Sequence, residues 1–289
     1  MEPFGKLAAF HLGRHGPMTR KNDKEKIREF YDLVSSHFHE LWGEHLHHGY
    51  WIRGDESKER AQIQLIEHLA RTANLQPGGK ILDVGCGTGA SSIYLAKRYK
   101  VQATGITISP VQVGLANQAA AKEDVNATFL LMDAEAMKFQ TEFDVIWSVE
   151  SISHYQDIGN FFASAAKLLK PNGTVAVIDW FKKPDLNPAE YKKKILPIEK
   201  GMLVELGTMP EYEAWMKSNR LKIIKSEVLN KHCAKTWDLG LDIIKNRSLW
   251  KLAATNGAMF VDFLRAFRAM RAGFATGNFI YGLVVAQKI

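Results

Sequence analysis

The chain has 289 residues, 46% of them apolar, a formal net charge of +7 and two cysteines. That length and apolar fraction support one large folded domain, or one domain with an inserted cap, and exclude a disordered chain. Cys86 and Cys233 offer neither a disulfide framework nor a zinc spacing, which points to a reducing, cytoplasmic compartment. No run reaches the ~20 apolar residues of a membrane span, and the lysines are spread over helices without a basic block interleaved with aromatics, so stable membrane insertion and nucleic-acid binding are not expected.

Residues 1–21 mix Phe4, Leu7, Phe10 and Leu12 with Lys6, Arg14, Arg20 and Lys21 but lack an apolar leader core and a cleavage site. They read as a flexible arm that could reach a neighbouring subunit in a homo-oligomer. Asn22-Asp23 then caps a helix from Lys24 to about Leu41, with Ile27, Phe30, Tyr31, Val34 and Phe38 on one face. The following run, Trp42-Gly43-Glu44-His45-Leu46-His47-His48-Gly49-Tyr50-Trp51, is dense in aromatics and histidine and too broken by glycine for a regular element. Five histidines fall between His37 and His48, but without acidic ligands at a set spacing they do not define a metal site, and no metal is expected.

A second helix, Ser57 to Asn74, ends at Gln76-Pro77-Gly78-Gly79. The apolar run Lys80 to Val84 breaks into Gly85-Cys86-Gly87-Thr88-Gly89 and passes directly into a helical pattern from Ala90. Glycine is needed where backbone must approach a ligand closely or adopt positive φ. Gly85-x-Gly87-x-x-Ala90 also satisfies the looser dinucleotide pattern, so a nicotinamide- or flavin-dependent oxidoreductase is an alternative. Asp83 at the strand end tilts the choice: a carboxylate there repels a pyrophosphate but suits a cationic ligand such as S-adenosylmethionine.

From this point strands and helices alternate. Val101 to Ile106, Ala127 to Leu131, Phe143 to Val149 and Thr174 to Trp180 read as strands, separated by helices at Pro110 to Lys122 and Ile158 to Leu169. The pattern predicts an α/β, doubly wound, Rossmann-like sheet. Residues 182–220 are helical, interrupted by Pro197, Gly201, Gly207 and Pro210, and read as a cap insertion over the sheet. Leu221 to Leu229 returns as a strand, Ala234 to Lys251 and Met259 to Ala275 as helices, and Phe279 to Ala286 as the last strand. The apolar side chains of the cap, Leu196, Ile198, Met202, Leu203, Leu206, Met209, Tyr212 and Trp215, with Trp237 and Phe260 further on, suit a bulky apolar ligand.

Phe30-Tyr31-Asp32, the stretch Trp42 to Tyr50, the glycine loop, Gly105-Ile106-Thr107-Ile108-Ser109-Pro110-Val111-Gln112 and Trp147-Ser148-Val149-Glu150-Ser151-Ile152-Ser153-His154 together resemble the class I S-adenosylmethionine-dependent methyltransferases, and within them the γ-tocopherol- and sterol-methyltransferase-like enzymes of small molecules. The resemblance covers residue 24 to the C-terminus and implies a seven-stranded sheet with the last strand antiparallel in a domain over 22–289, of which 22–75 would be N-terminal helices and lid. It implies that Asp83, Gly85 and Gly87 hold the methionine part of the cofactor, that Thr107 stands where many relatives carry a ribose-binding acid, with Gln112 taking up part of that bonding, and that Asp133, Ala134 and Ser148 lie near the rest of the cofactor. His154 is the expected general base or acceptor-orienting group, its ordinary pKa being near neutrality, with Glu150, at i, i+4 should the segment turn helical, orienting it or hydrogen-bonding the acceptor. Tyr31, Trp42, His48, Tyr50 and Trp51 are expected as an aromatic lid over the sulfonium. Acceptors of such relatives are carbons of phenols, sterols and prenyl chains or amine and indole nitrogens, which implies C- or N-methylation of a natural-product-type molecule by in-line transfer. The absence of a transit peptide favours a secondary-metabolite enzyme over a plastid tocopherol role, and a cyclase-type descendant that keeps the cofactor is a further alternative.

Overall fold

The computed structural model describes residues 23–246, 249–250 and 258–289; the predicted arm 1–21 lies outside them, as do the side chains of 36–41, including His37 and His39, and of 258–259. Seven strands form one sheet: β1 (Lys80–Val84), β2 (Gln102–Thr107), β3 (Ala127–Leu131), β4 (Phe143–Val149), β5 (Leu169–Lys182), β6 (Leu221–Val228) and β7 (Phe279–Lys288). Their order is β3-β2-β1-β4-β5-β7-β6, with β1 to β5 parallel and β7 antiparallel to both β5 and β6. The predicted seven-stranded Rossmann-like sheet is therefore present. β1 is buried from Ile81 onward, as a central parallel strand covered on both faces must be.

Helices α1 (Lys24–Trp42), α2 (Lys58–Thr72), α3 (Ala90–Tyr99), α4 (Pro110–Glu123) and α5 (Ile158–Leu168) match the predicted segments to within a residue or two. Their starts follow the capping residues: Ser57 and Ser109 accept from the amides of Arg60 and Gln112, and Pro110 occupies the first turn of α4. β5 is longer than the predicted Thr174 to Trp180. It runs from Leu169 to Lys182, with Asn172 at φ 62 where the sequence suggested a helix stop followed by a separate strand.

The stretch 182–220 does not lie over the sheet as one piece. Helix α6 (Leu196–Met202) joins the hydrophobic cluster that also holds α1, α2 and the later helices α8 (Lys235–Ile243) and α9 (Ala258–Thr276). Helix α7 (Met209–Ser218) sends Met209, Tyr212 and Met216 into the cluster on the other face, with Phe161 and Phe162 of α5. The break between them is chemical: Thr208 and Glu211 form a capping box and Pro210 sits in the first turn, so a new helix starts there in a new direction. The cover above the strand ends is accordingly built by α1, residues 195–206 and the helices inserted between β6 and β7. No helix among the described residues is long and apolar enough to cross a membrane.

Candidate active site

The order of the sheet reverses between β1 and β4, and in such sheets the crevice beyond the strand carboxyl ends at the reversal is where ligands bind. A cavity of about 240 Å³ lies there, lined at one end by Asp83, Gly85, Gly87, Thr107, Asp133 and Ala134 and at the other by Tyr31, Trp42, His48, Glu150 and His154. Met202, Trp180, Trp237, Phe263 and Phe267 complete an apolar wall.

The first end is built by the turn from β1 to α3. Gly85, Gly87 and Gly89 have φ of 79, 54 and 83, and the amides of Gly85 and Cys86 both donate to Ile106 O at 2.9 and 3.0 Å, fixing the loop to the end of β2. A Cβ on Gly85 would come within 1.9 Å of Ser151 Oγ, whereas a Cβ on Gly87 would meet nothing within 4 Å. Gly87 therefore keeps space open. We expect Gly87→Ala to cost only about 1–2 kcal/mol of stability, from the left-handed backbone, yet to weaken cofactor binding by roughly tenfold or more through the methyl it places in the cavity. Thermal denaturation read beside a binding titration separates the two effects.

Asp83 is 2% exposed, and Ser92 donates to its Oδ2 at 2.6 Å. Burial pushes its carboxyl up to about 7 against the opposing Ser92 hydrogen bond. A buried acid supported by one hydroxyl, facing a cavity, is suited to a cation. Thr107 donates to Gln112 Oε1 at 2.7 Å and Gln112 Nε2 donates to Ser35 Oγ at 2.9 Å, so this pair also anchors α1. Asp133 caps the short turn Ala134–Ala136 and takes an ion pair at 2.7 Å from Lys24, which also reaches Glu135 at 2.8 Å. With the Asp32–Ser109 hydrogen bond, four polar links spread along α1 hold it as a cover.

At the other end, Tyr31 OH lies 2.8 Å from His154 Nε2, and His154 Nδ1 lies 3.0 Å from Leu203 O. The carbonyl can only accept, so Nδ1 carries the proton and Nε2 accepts from Tyr31. Burial brings His154 down to about 4, with the Leu203 carbonyl opposing, and the ring is neutral at physiological pH. Tyr31 is shifted the other way, held protonated by burial and by the charges of Glu150 and Asp179.

Glu150 does not orient His154. It has φ 54, and the residues after it form a single 3₁₀ turn, Ile152–His154, so the i, i+4 geometry suggested by the spacing does not arise. Its Oε1 instead accepts from His48 N and Nδ1, both at 2.8 Å, and from Tyr281 OH at 2.7 Å. Burial raises Glu150, but the neighbouring His48, through its charge and its hydrogen bond, brings the carboxyl below its ordinary value. Three of the expected residues stand outside the cavity. Ser148 Oγ donates to Val84 O at 3.0 Å across the β1–β4 pair, Tyr50 stacks between His68 and His232 at 4.8 and 4.5 Å, and Trp51 is held through its amide by His232 O and through Nε1 by Glu56 O. Tyr50 and Trp51 fasten the histidine segment to α2 and the chain after β6 rather than covering a ligand.

Sequence reasoning left out Trp180, Tyr281, Phe263 and Phe267. The spacing of the last two, i and i+4 on α9, marks a common face, but nothing in the sequence says that this face turns to the cavity. No group of three or more His, Cys, Asp or Glu side chains placed to hold a metal occurs among the described residues.

A glycine cradle with open space at Gly87, a buried carboxyl poised for a cation and a sheet reversal between them fit S-adenosylmethionine and do not fit a pyrophosphate beside Asp83. The sheet and this loop define a class I S-adenosylmethionine-dependent methyltransferase. The chain belongs to the mycolic acid cyclopropane synthetase family, whose sequence profile matches residues 18–278. It is 31% identical over 277 residues, 94% of this chain and 99% of the relative, to a 27-O-demethylrifamycin SV methyltransferase of Amycolatopsis mediterranei. It is 28% identical over 292 residues, 92% of this chain and 82% of the relative, to a chloroplastic tocopherol O-methyltransferase of Arabidopsis thaliana. Among solved structures, a [4+2]-cyclase superposes with a TM-score of 0.81 at 21% identity, covering 92% of this chain and 96% of that one; at that identity the likeness concerns the fold. The protein is an enzyme of the methyltransferase class and its cofactor is S-adenosylmethionine.

Proposed function

We propose that this enzyme methylates a hydroxyl oxygen of a bulky apolar small molecule, with Tyr31 and His154 taking up the hydroxyl proton. The observation that carries this reading is a neutral, buried imidazole reached through a tyrosine hydroxyl, at the far end of the apolar cavity that begins at Asp83. The names of the two relatives, a demethylrifamycin methyltransferase and a tocopherol O-methyltransferase, support oxygen over the carbon and nitrogen centres expected from the sequence resemblance.

When bound, the cofactor supplies a methyl group on a sulfonium, and the S–C electron pair returns to sulfur as the acceptor oxygen forms its new bond. The chain's own residues do the rest. Asp83 would hold the cationic amino end, Gly85 and Gly87 would let it approach, Thr107 and Gln112 would serve the ribose, and Asp133 and Ala134 the base. Placement alone can contribute on the order of 7–11 kcal/mol. The hydroxyl proton becomes strongly acidic only as the O–C bond forms, so a weak base suffices: the acceptor hydroxyl donates to Tyr31 Oη while Tyr31 passes its own proton to His154 Nε2. Leu203 O keeps the ring in the tautomer that can receive it. Trp42, Phe263 and Phe267 exclude water and give the acceptor an apolar seat.

The test is a competition. Given cofactor labelled in the methyl group, the enzyme is expected to place label on the oxygen of an apolar phenol in preference to the corresponding alkene and amine; label on the alkene carbon or the amine alone would overturn the assignment.

A further inference from the structure

Asp179 of β5 is fully buried, and none of the steps above uses it. It shares a face of the strand with Val177 and Phe181, which join the hydrophobic cluster formed with Phe161 and Phe162 of α5 and Tyr212 and Met216 of α7. Its hydrogen bonds come from neutral donors: Ser153 N and Tyr212 OH donate to Oδ2 at 2.8 and 3.2 Å, and Trp180 N donates to Oδ1 at 2.8 Å. Burial outweighs the Trp180 and Ser153 amides and pushes the carboxyl up to about 7. An acid in that layer works against stability, which a well-packed apolar side chain would serve better.

The Ser153 amide belongs to the turn that carries His154. The first amides of such a turn find no acceptor within it, and the side chain of the preceding residue usually accepts from the second or third of them. Ser151 stands in that place and does not do so; its hydroxyl lies 2.8 Å from Tyr155 OH instead. Asp179, 26 residues further along and on the strand paired with β4, accepts from Ser153 N in its stead. On the other side of the turn, Ser153 O accepts from Glu205 N at 3.0 Å, and Leu203 O holds His154 Nδ1. The turn is thus pinned by its amide to β5 and by its carbonyl to the segment that fixes the imidazole.

Resting on the reading of His154 as the base, we infer that Asp179 is a positioning residue for methyl transfer. It caps the turn after β4 from the neighbouring strand and so holds the His154 ring in place, while Tyr212 of α7 steadies the carboxylate. Asp179 does not itself line the cavity, so its effect passes through His154. The apolar layer on the far face of the sheet is joined to the reacting position by this one side chain, which accounts for an acid where packing alone would favour a hydrocarbon.

The experiment is a double-mutant cycle on kcat, with the apolar phenol and methyl-labelled cofactor both saturating, in wild type, Asp179→Asn, His154→Ala and the double variant. The amide keeps the size of the carboxylate but accepts through one oxygen only, so Ser153 N or Trp180 N loses its acceptor. Asp179→Asn is expected to lower kcat by roughly ten- to a hundredfold, the range for a reacting group displaced by up to about 1 Å, while KM for the phenol and S-adenosylhomocysteine affinity stay close to wild type. In the His154→Ala background the same substitution is expected to cost less than about twofold, because the group through which it acts is gone. Retained S-adenosylhomocysteine binding shows that a variant is folded; should Asp179→Asn not fold, Asp179→Val, which suits the apolar layer and offers no acceptor, takes its place in the cycle. Wild-type kcat in a folded variant, or a loss of equal size with and without His154, overturns the inference while leaving the base standing. Failure of both variants to fold assigns Asp179 to the fold and overturns it as well. Wild-type turnover in His154→Ala overturns the reading of the base, and with it this role for Asp179.

Discussion

His154→Ala is expected to lower kcat by roughly 10²- to 10⁴-fold, the range typical of a lost general base, while S-adenosylhomocysteine binding stays within a few-fold of wild type. The separation follows from position: His154 sits on the turn after β4 with its partners Leu203 and Tyr31, whereas Asp83 and the glycines proposed to hold the cofactor belong to β1 and the loop after it. Tyr31→Phe should lose less, because an acceptor hydroxyl can then reach His154 Nε2 directly or through one water, and about tenfold in kcat is expected. Rates measured at saturating acceptor distinguish this from a defect in acceptor binding. Intact turnover in His154→Ala would remove the base from the mechanism and favour an acceptor that needs no proton taken up.

The second large effect concerns Asp83, where stability and binding should move in opposite directions. The carboxyl ionises at about 7 in the folded protein against an ordinary 3.8, because burial disfavours its charge. Between those values the folded chain keeps a proton that the unfolded chain has released, so the wild type loses stability as pH rises from about 4 to about 7 and no further above that. Asp83→Asn, neutral at every pH, escapes the loss. Relative to wild type it should be unchanged in stability near pH 4 and more stable by roughly 2–4 kcal/mol at pH 8, at 1.36 kcal/mol per pKa unit. Cofactor affinity should fall at least roughly a hundredfold, as is usual when one partner of a buried charged pair is removed. Denaturation at the two pH values and a binding titration of the same variant read both signs; a variant that is destabilised at pH 8, or that binds as wild type does, would show that Asp83 is not waiting for a cation.

What the sequence disclosed and what it hid divides by range. The strand, glycine turn and helix around Asp83 are local: the residues that make the turn and those that line this end of the cavity are the same few, and the structure has the strand, the turn and the helix where their spacing indicates. The sheet was legible for a similar reason, each strand and helix carrying its own periodicity and caps. The base and its surroundings are not local. Glu150 and His154 look like a pair in sequence, but positive φ at Glu150 turns its carboxylate to His48 and Tyr281, 102 and 131 residues away, and leaves His154 to Tyr31, 123 residues away. No spacing rule reaches across such distances. Tyr50 and Trp51 misled for a related reason: they share a segment with His48, but their partners are His68, His232 and Glu56. The cover over the cavity was misplaced because its aromatic wall comes from α9, a helix inserted late in the chain, while half of the stretch that read as a cap turns to the far side of the sheet.

The most direct test of the account is a calorimetric titration of the wild-type protein with S-adenosylhomocysteine. The cavity at Asp83 and the glycine loop predict one site per chain with micromolar affinity, weakening as pH falls below about 7, where the Asp83 carboxyl takes up its proton. No binding, or binding indifferent to that protonation, would contradict the assignment of this cavity to the cofactor and with it the proposed methyl transfer.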